Sequence, residues 1–258
     1  MKFLFTNKNY RAAIALFVMA AILVAAAILT NRGDFTSAAL VIAGLVCLLV
    51  GIFLVTLSES DPLDLRYIGL LPVQGCINLA RLCADMGILG NACFIAKGRA
   101  GRTKTMQYLP VAAYNGEPLP MESFVTETGT AGLLVEPSSA PLLALLREKE
   151  HLVIPEDIAA LHGLVRELGV EVLEVAEQTT SSNEKDIITI TMDDYRLIAG
   201  CRAMTRESSR CCITNPCPVC SLYATIFAEG TGRVIQIERC TPDPKRSSVT
   251  AVFSVLQE

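Results

Sequence analysis

The sequence predicts a membrane-anchored α+β protein: an N-terminal two-helix transmembrane hairpin, then a cytoplasmic α+β domain with mainly antiparallel strands. Three observations lead there. Two long runs near the start carry no charge. The roughly 200 residues that follow have ordinary composition and are enough to bury a core of their own. Their C-terminal half mixes segments of helical spacing with short alternating strands bounded by turn residues.

The uncharged runs are Ala12 to Thr30, 19 residues, and Ser37 to Leu57, 21 more. At 1.5 Å per residue each is long enough to cross a hydrocarbon core about 30 Å thick. Only "NRGDFT" separates them, so they run antiparallel. Lys2, Lys8 and Arg11 hold the N-terminus inside and the second span returns the chain, which puts both termini in the cytoplasm. Reading the first run as a cleaved signal, with "AAA" at 25–27 as its processing site, still delivers residues 58–258 inward. The organisation expected is a hairpin over 1–57, juxtamembrane helices and first strands over 58–110, and a Cys-rich α+β domain over 111–258. Neither span carries an ionisable group, so the lipid bilayer is a partner and the hairpin an anchor rather than a transport path. In the second span Ala39, Ala43, Cys47 and Gly51 recur every four residues. Such a small-residue stripe serves either hairpin packing or a homo-oligomer seam.

Placement in a reducing compartment makes the ten cysteines thiols, metal ligands or apolar fillers, not a disulfide framework. A net charge of −4 argues against a nucleic-acid partner.

Beyond the spans, Asp61 and Pro62 are a helix start, and Pro72 ends or kinks that short helix. Cys76, Leu79, Ala80, Cys83 and Met86 keep helical spacing, with Cys76 and Cys83 assigned to the core. "NACFIAKGRAGRTKTMQYLPVA" predicts two strands around a turn. That turn carries Lys97, Arg99, Arg102 and Lys104, which read as a solvated loop or as contacts to anionic lipid headgroups. It lacks the pattern GxxxxGK[ST], so no nucleotide is assigned.

Loops and short strands are expected from 115 to 138, then helices near 139–149 and 155–168, the second stopped by Gly169. His151 and His162 have no nucleophilic or acidic partner in a matching pattern, and no catalytic residue is assigned. "TTSSNEK", 179–185, reads as a flexible polar loop. "DIITITM" is a strand with Ile188, Ile190 and Met192 inward, closed by a turn at Asp193–Asp194. "RVIQIERC" and "SVTAVFSVL" form a terminal hairpin.

The chemistry-bearing stretch is "RCCITNPCPVC", 210–220. Pro218 opens a helix and Gly230 follows it, which puts Cys217 at the N-cap and Cys220 one turn in. The positive helix end favours thiolate there. Three readings stay open. Cys212-x4-Cys217-x2-Cys220 with Cys240 has ferredoxin-like spacing and suits a [2Fe–2S] cluster or zinc, with Cys201 or Cys211 as substitute ligands. Period-two alternation, however, turns Cys240 away from the face of Ile235 and Ile237. Cys217 and Cys220 alone form a C-x-x-C redox pair. The cysteines can also simply pack.

Residues 217–258 resemble the end of a 4-vinyl reductase-type domain: an apolar helix, then a G-x-x-V-x-I-E-x-C-like strand in which Gly232, Val234, Glu238 and Cys240 fall near the pattern, then a closing strand. The resemblance implies a pocket for small hydrophobic ligands. The whole chain is similar to an uncharacterised family of archaeal membrane proteins that pair an N-terminal hairpin with a CPxCS-bearing domain, which implies architecture and no activity. The expected function is that of a non-enzymatic, membrane-anchored protein holding a structural metal for sensing or assembly. The alternatives are a small-ligand sensor and a membrane-attached thiol oxidoreductase.

Overall fold

The computed structural model describes residues 8–30, 35–57, 65–98, 103–114, 116, 119, 122–126, 130–243 and 245–256. The chain divides into two compact units, Met1–Leu63 and Asp64–Glu258.

The first unit pairs α1 (Lys8–Thr30) with α2 (Phe35–Leu57). Both are long and apolar enough to cross a membrane. Their seam is built from small residues. Ala13, Ala20 and Ala27 are buried on α1, and Gly44 and Gly51 on α2. A Cβ on Gly51 would lie 2.7 Å from the Phe17 ring, so only glycine allows this approach. The expected stripe divides between faces: Gly51 packs on α1 and Cys47 is half-buried, while Ala39 and Ala43 are exposed. A four-residue repeat drifts about 40° per step around a 3.6-residue helix, enough to carry the first two members off the seam.

Among its described residues the second unit contains an eight-stranded antiparallel sheet in the order β3-β4-β2-β1-β7-β8-β6-β5. In chain order, α3 (Leu65–Ile68) and α4 (Val73–Asp85) precede β1 (Cys93–Ile95) and β2 (Met106–Pro110). β3 (Phe124–Val125), β4 (Gly132–Val135), α5 (Ala140–Lys149) and α6 (Ile158–Glu167) follow. β5 (Gln178–Glu184) and β6 (Ile187–Asp193) lead to α7 (Ile198–Glu207), α8 (Cys211–Thr214) and α9 (Pro218–Thr231). β7 (Val234–Asp243) and β8 (Ser248–Leu256) close the described chain. Helices α4 to α9 bury their apolar residues in one core against one sheet face, which contributes Phe94, Leu109, Ile190, Ile237 and Phe253. Burying each such side chain contributes about 1.5–3 kcal/mol. On the other face, Tyr114 and Leu119 cover Cys93, Ile95, Tyr108 and Leu134.

At the centre lies α9. With α8 it belongs to a third stretch, Cys211–Thr231, apolar enough to cross a membrane by composition, but 83% of an 18-residue window of that stretch is buried inside the domain. Its apolarity reflects core position. It ends at Gly232, whose φ of 66° is the left-handed cap conformation, two residues beyond the expected stop. Gly230 has a different task. A Cβ there would meet Leu161 at 2.5 Å and the Pro155 carbonyl at 2.6 Å, so its smallness lets α9 approach α6. Gly169 is likewise no stop. The chain passes through it into a π-turn, Leu168–Val172, and a Cβ there would run into Thr179 and Tyr223.

Two strand expectations are corrected. The polar segment 179–185 is not a flexible loop: Gln178–Glu184 pairs residue for residue with β6. Only Thr179 of β5 is buried, so its sequence shows no apolar alternation. In β7 the register slips between Ile237 and Arg239, which pair with the adjacent Phe253 and Val252. Glu238 is the extra residue of a bulge, held by Ser254 Oγ at 2.5 Å and Asn91 Nδ2 at 3.3 Å. One inserted residue inverts the alternation beyond it. Cys240 therefore joins the core face with Ile235 and Ile237.

Candidate functional site

Five cysteines from four elements meet at the N-terminal end of α9. Pro218 restricts the residue before it to extended backbone, and Cys217 has φ −61° and ψ 160°, the N-cap geometry. Cys220 lies three residues on, over the same side of the first turn. α7 supplies Cys201, α8 Cys212 and β7 Cys240. α8 is tied to the sheet by the Ala92 N–H donating to the Ile213 carbonyl at 3.0 Å. Behind it, buried Gln107 donates to Asn215 at 3.2 Å.

The thiols form a chain, Cys201–Cys217–Cys220–Cys240–Cys212, each hydrogen-bonded to the next. Cys217 and Cys240 act as acceptors. Hydrogen bonds from the Cys201 and Cys220 thiols hold Cys217 well below the usual thiol range, against the opposing effect of burial. Cys217 makes no formal capping bond, yet the Val219 and Cys220 N–H groups lie near enough to favour its thiolate. Cys212 and Cys220 likewise bring Cys240 down to about 5. The donors move the other way. Hydrogen bonding to a neighbouring sulfur, with burial, pushes Cys201, Cys212 and Cys220 up. Cys76 on α4 rises to about 12, through burial and then the nearness of Cys217 and Cys211. The structure thus joins all four residues of the expected metal set and adds Cys201. Cys211 stays outside the hydrogen-bonded chain, its thiol raised by burial.

This donor set has the chemistry for zinc or an iron–sulfur cluster, since soft thiolates bind both. The arrangement does not match. Among the described residues, no three His, Cys, Asp or Glu side chains are disposed to hold one ion.

Beside the chain lies a cavity of about 590 Å³. Its walls include Leu71 and Pro72, Leu173 and Val175 beyond the π-turn, and Met204 of α7; among the described residues, no charged one contributes. Tyr195, Cys201 and Cys217 are the described lining residues whose side chains carry O–H or S–H groups. Cys217 is enclosed by protein yet half-exposed, because its free side faces this space, whereas Cys201, Cys212, Cys220 and Cys240 are buried. The Tyr195 phenol is pushed well up, first by burial and then by the nearby sulfurs.

The basic turn has another setting. Lys97 pairs at 3.3 Å with Glu229, whose side chain is only 3% exposed and which also takes Arg147 and, at 2.8 Å, the Thr105 hydroxyl. Lys104 pairs with Glu136 at 2.7 Å. Arg99 and Arg102 lie outside the described residues, as do Asp61 and Pro62. His162 packs on Phe227 with ring centroids 5.2 Å apart and bonds Ser181 at 2.6 Å. Burial lowers its pKa.

Sequence reasoning expected a pocket only through the resemblance and did not place its lining, and it missed α7 and the Glu229 ion cluster. A helical signal for α7 was present in Ile198, Cys201 and Met204. The cavity and the ion cluster join side chains distant in sequence, and no local spacing encodes them. Compared with protein-family models, curated proteins and solved structures, the chain matches none.

Proposed function

We propose that residues 64–258 form a binding domain for a small apolar molecule, with a thiol cluster in the wall of its pocket. In this reading α1 and α2 cross the bilayer as an anchor and both termini face the cytoplasm. The cavity of about 590 Å³, with no charged residue among its described lining, carries the proposal. Ligand sites are mostly apolar hollows of this size with a few placed polar groups, and here Tyr195, Cys201 and Cys217 are those groups. The resemblance of residues 217–258 to 4-vinyl reductase-type domains favours the same reading.

The test is ligand retention by the full chain in lipid nanodiscs. A fluorescent apolar probe should bind saturably, and Leu173→Trp, which puts an indole into the cavity, should abolish binding with the circular dichroism spectrum unchanged. Undiminished binding in that variant would sink the reading.

A further inference from the structure

We infer that Cys217 and Cys201 form a reactive dithiol that reduces apolar hydroperoxides in the cavity. The inference rests on the pocket proposed above and names its substrate class. Four observations carry it. Of the five linked thiols, only Cys201 and Cys217 line the cavity. Those two are hydrogen-bonded to one another. Cys217 is the half-exposed member of the group, while Cys220, its C-x-x-C neighbour, is buried away from the cavity. The rest of the described lining is apolar apart from Tyr195, so a peroxide carrying a hydrocarbon group gains burial that hydrogen peroxide does not.

The chemistry balances within the pair. The Cys217 sulfur attacks the terminal peroxide oxygen. A sulfur–oxygen bond forms, the oxygen–oxygen bond breaks, and its electron pair leaves on the alkoxide, which takes a proton and departs as the alcohol. Cys217 is then a sulfenic acid, which condenses with a neighbouring thiol. The Cys201 sulfur attacks it, the sulfur–sulfur bond forms, and the sulfur–oxygen bond breaks. The hydroxide released takes the proton that Cys201 gives up and leaves as water. The peroxide gains two electrons and the dithiol loses two. A small-molecule dithiol resets the pair by exchange.

The structure therefore assigns Cys201, not Cys220, as the resolving residue, against the simplest reading of the C-x-x-C motif.

The experiment uses the reduced full chain in nanodiscs, treated with cumene hydroperoxide or hydrogen peroxide. Expected are consumption of paired thiols, matching release of cumyl alcohol, and a disulfide between Cys201 and Cys217 by tandem mass spectrometry of the blocked peptides. Cumene hydroperoxide should react about ten-fold faster or more, since its phenyl and methyl groups gain burial in the cavity. Cys201→Ser should stop at a sulfenic acid trapped by dimedone, and Cys220→Ser should still form the disulfide. A Cys217–Cys220 disulfide in the wild type would overturn the inference, as would equal rates with the two peroxides. Probe binding without thiol oxidation would remove this chemistry and leave the pocket reading standing; loss of both would remove both. The wild-type disulfide map needs no variant to fold.

Discussion

Cys217 takes its character from the residue after it. Pro218 fixes the extended backbone that makes Cys217 a cap, and two neighbouring thiols then donate to its sulfur. Its folded pKa lies below the ordinary thiol value of 9.0. The stability it contributes is therefore complete above 9 and is lost as pH falls through the lowered folded value. A sulfur whose pKa is lowered by its neighbours and which lines an apolar cavity should be alkylated first by N-phenylmaleimide near pH 7. The buried, raised thiols of Cys201 and Cys212 should lag well behind. Time-resolved mass spectrometry checks this, and equal rates at the three positions would contradict it. Cys217 was legible because a proline and a periodic helix follow it in sequence. Cys240 was not, because its direction depends on a bulge at Glu238 whose partners are Ser254 on β8 and Asn91 just before β1.

Among the elements, α9 shows how two glycines in one short stretch divide their work. Gly232 satisfies a left-handed cap, and a Cβ added there meets nothing within 4 Å. Gly230 fills a close crossing with α6. Gly232→Ala should then cost about 1–2 kcal/mol, the strain of a left-handed residue. Gly230→Ala should cost more, in the upper part of the roughly 1–3 kcal/mol range for overpacking or beyond it, because its Cβ meets a backbone carbonyl as well as Leu161. Urea denaturation of the two variants checks the order; the reverse order would assign the cap to Gly230. Both residues look alike as helix terminators in sequence, since a stop signal and a packing gap share one letter. β5 stayed hidden for a related reason. A strand with one buried residue and six polar or exposed ones gives period-two reasoning nothing to detect, although all seven pair with β6.

At the scale of the whole molecule, many ionisable groups are buried in the form they hold at neutral pH. Burial raises Cys76 and Tyr108 to about 12 and pushes Tyr195 well up, and Cys201, Cys212 and Cys220 rise with them. Each contributes stability that is full below its unfolded value, 9.0 for thiols and 10.0 for phenols. That contribution is lost as pH rises toward the folded value. Cys217 and Cys240 act in the opposite sense but are two against many. Melting followed by circular dichroism in reducing buffer should show a lower Tm at pH 10 than at pH 7.5, and an unchanged or higher Tm would refute this accounting. The division into an apolar hairpin and an α+β unit was legible because hydropathy and periodicity are local properties. The cavity was not, because it exists only where α4, α7, α9 and the chain beyond the π-turn fail to fill the space between them.

The borders of the eight-stranded sheet have a further consequence. One is β3, only two residues long, and the other is β5, whose Thr, Ser, Asn and Glu side chains are mostly wet. If α1 and α2 cross a bilayer as proposed, copies of the chain share one plane, where collisions are frequent. Neither border offers a long greasy template on which a second copy could extend the ladder. Crowding should therefore leave these domains side by side as separate bodies instead of welding them into fibrils.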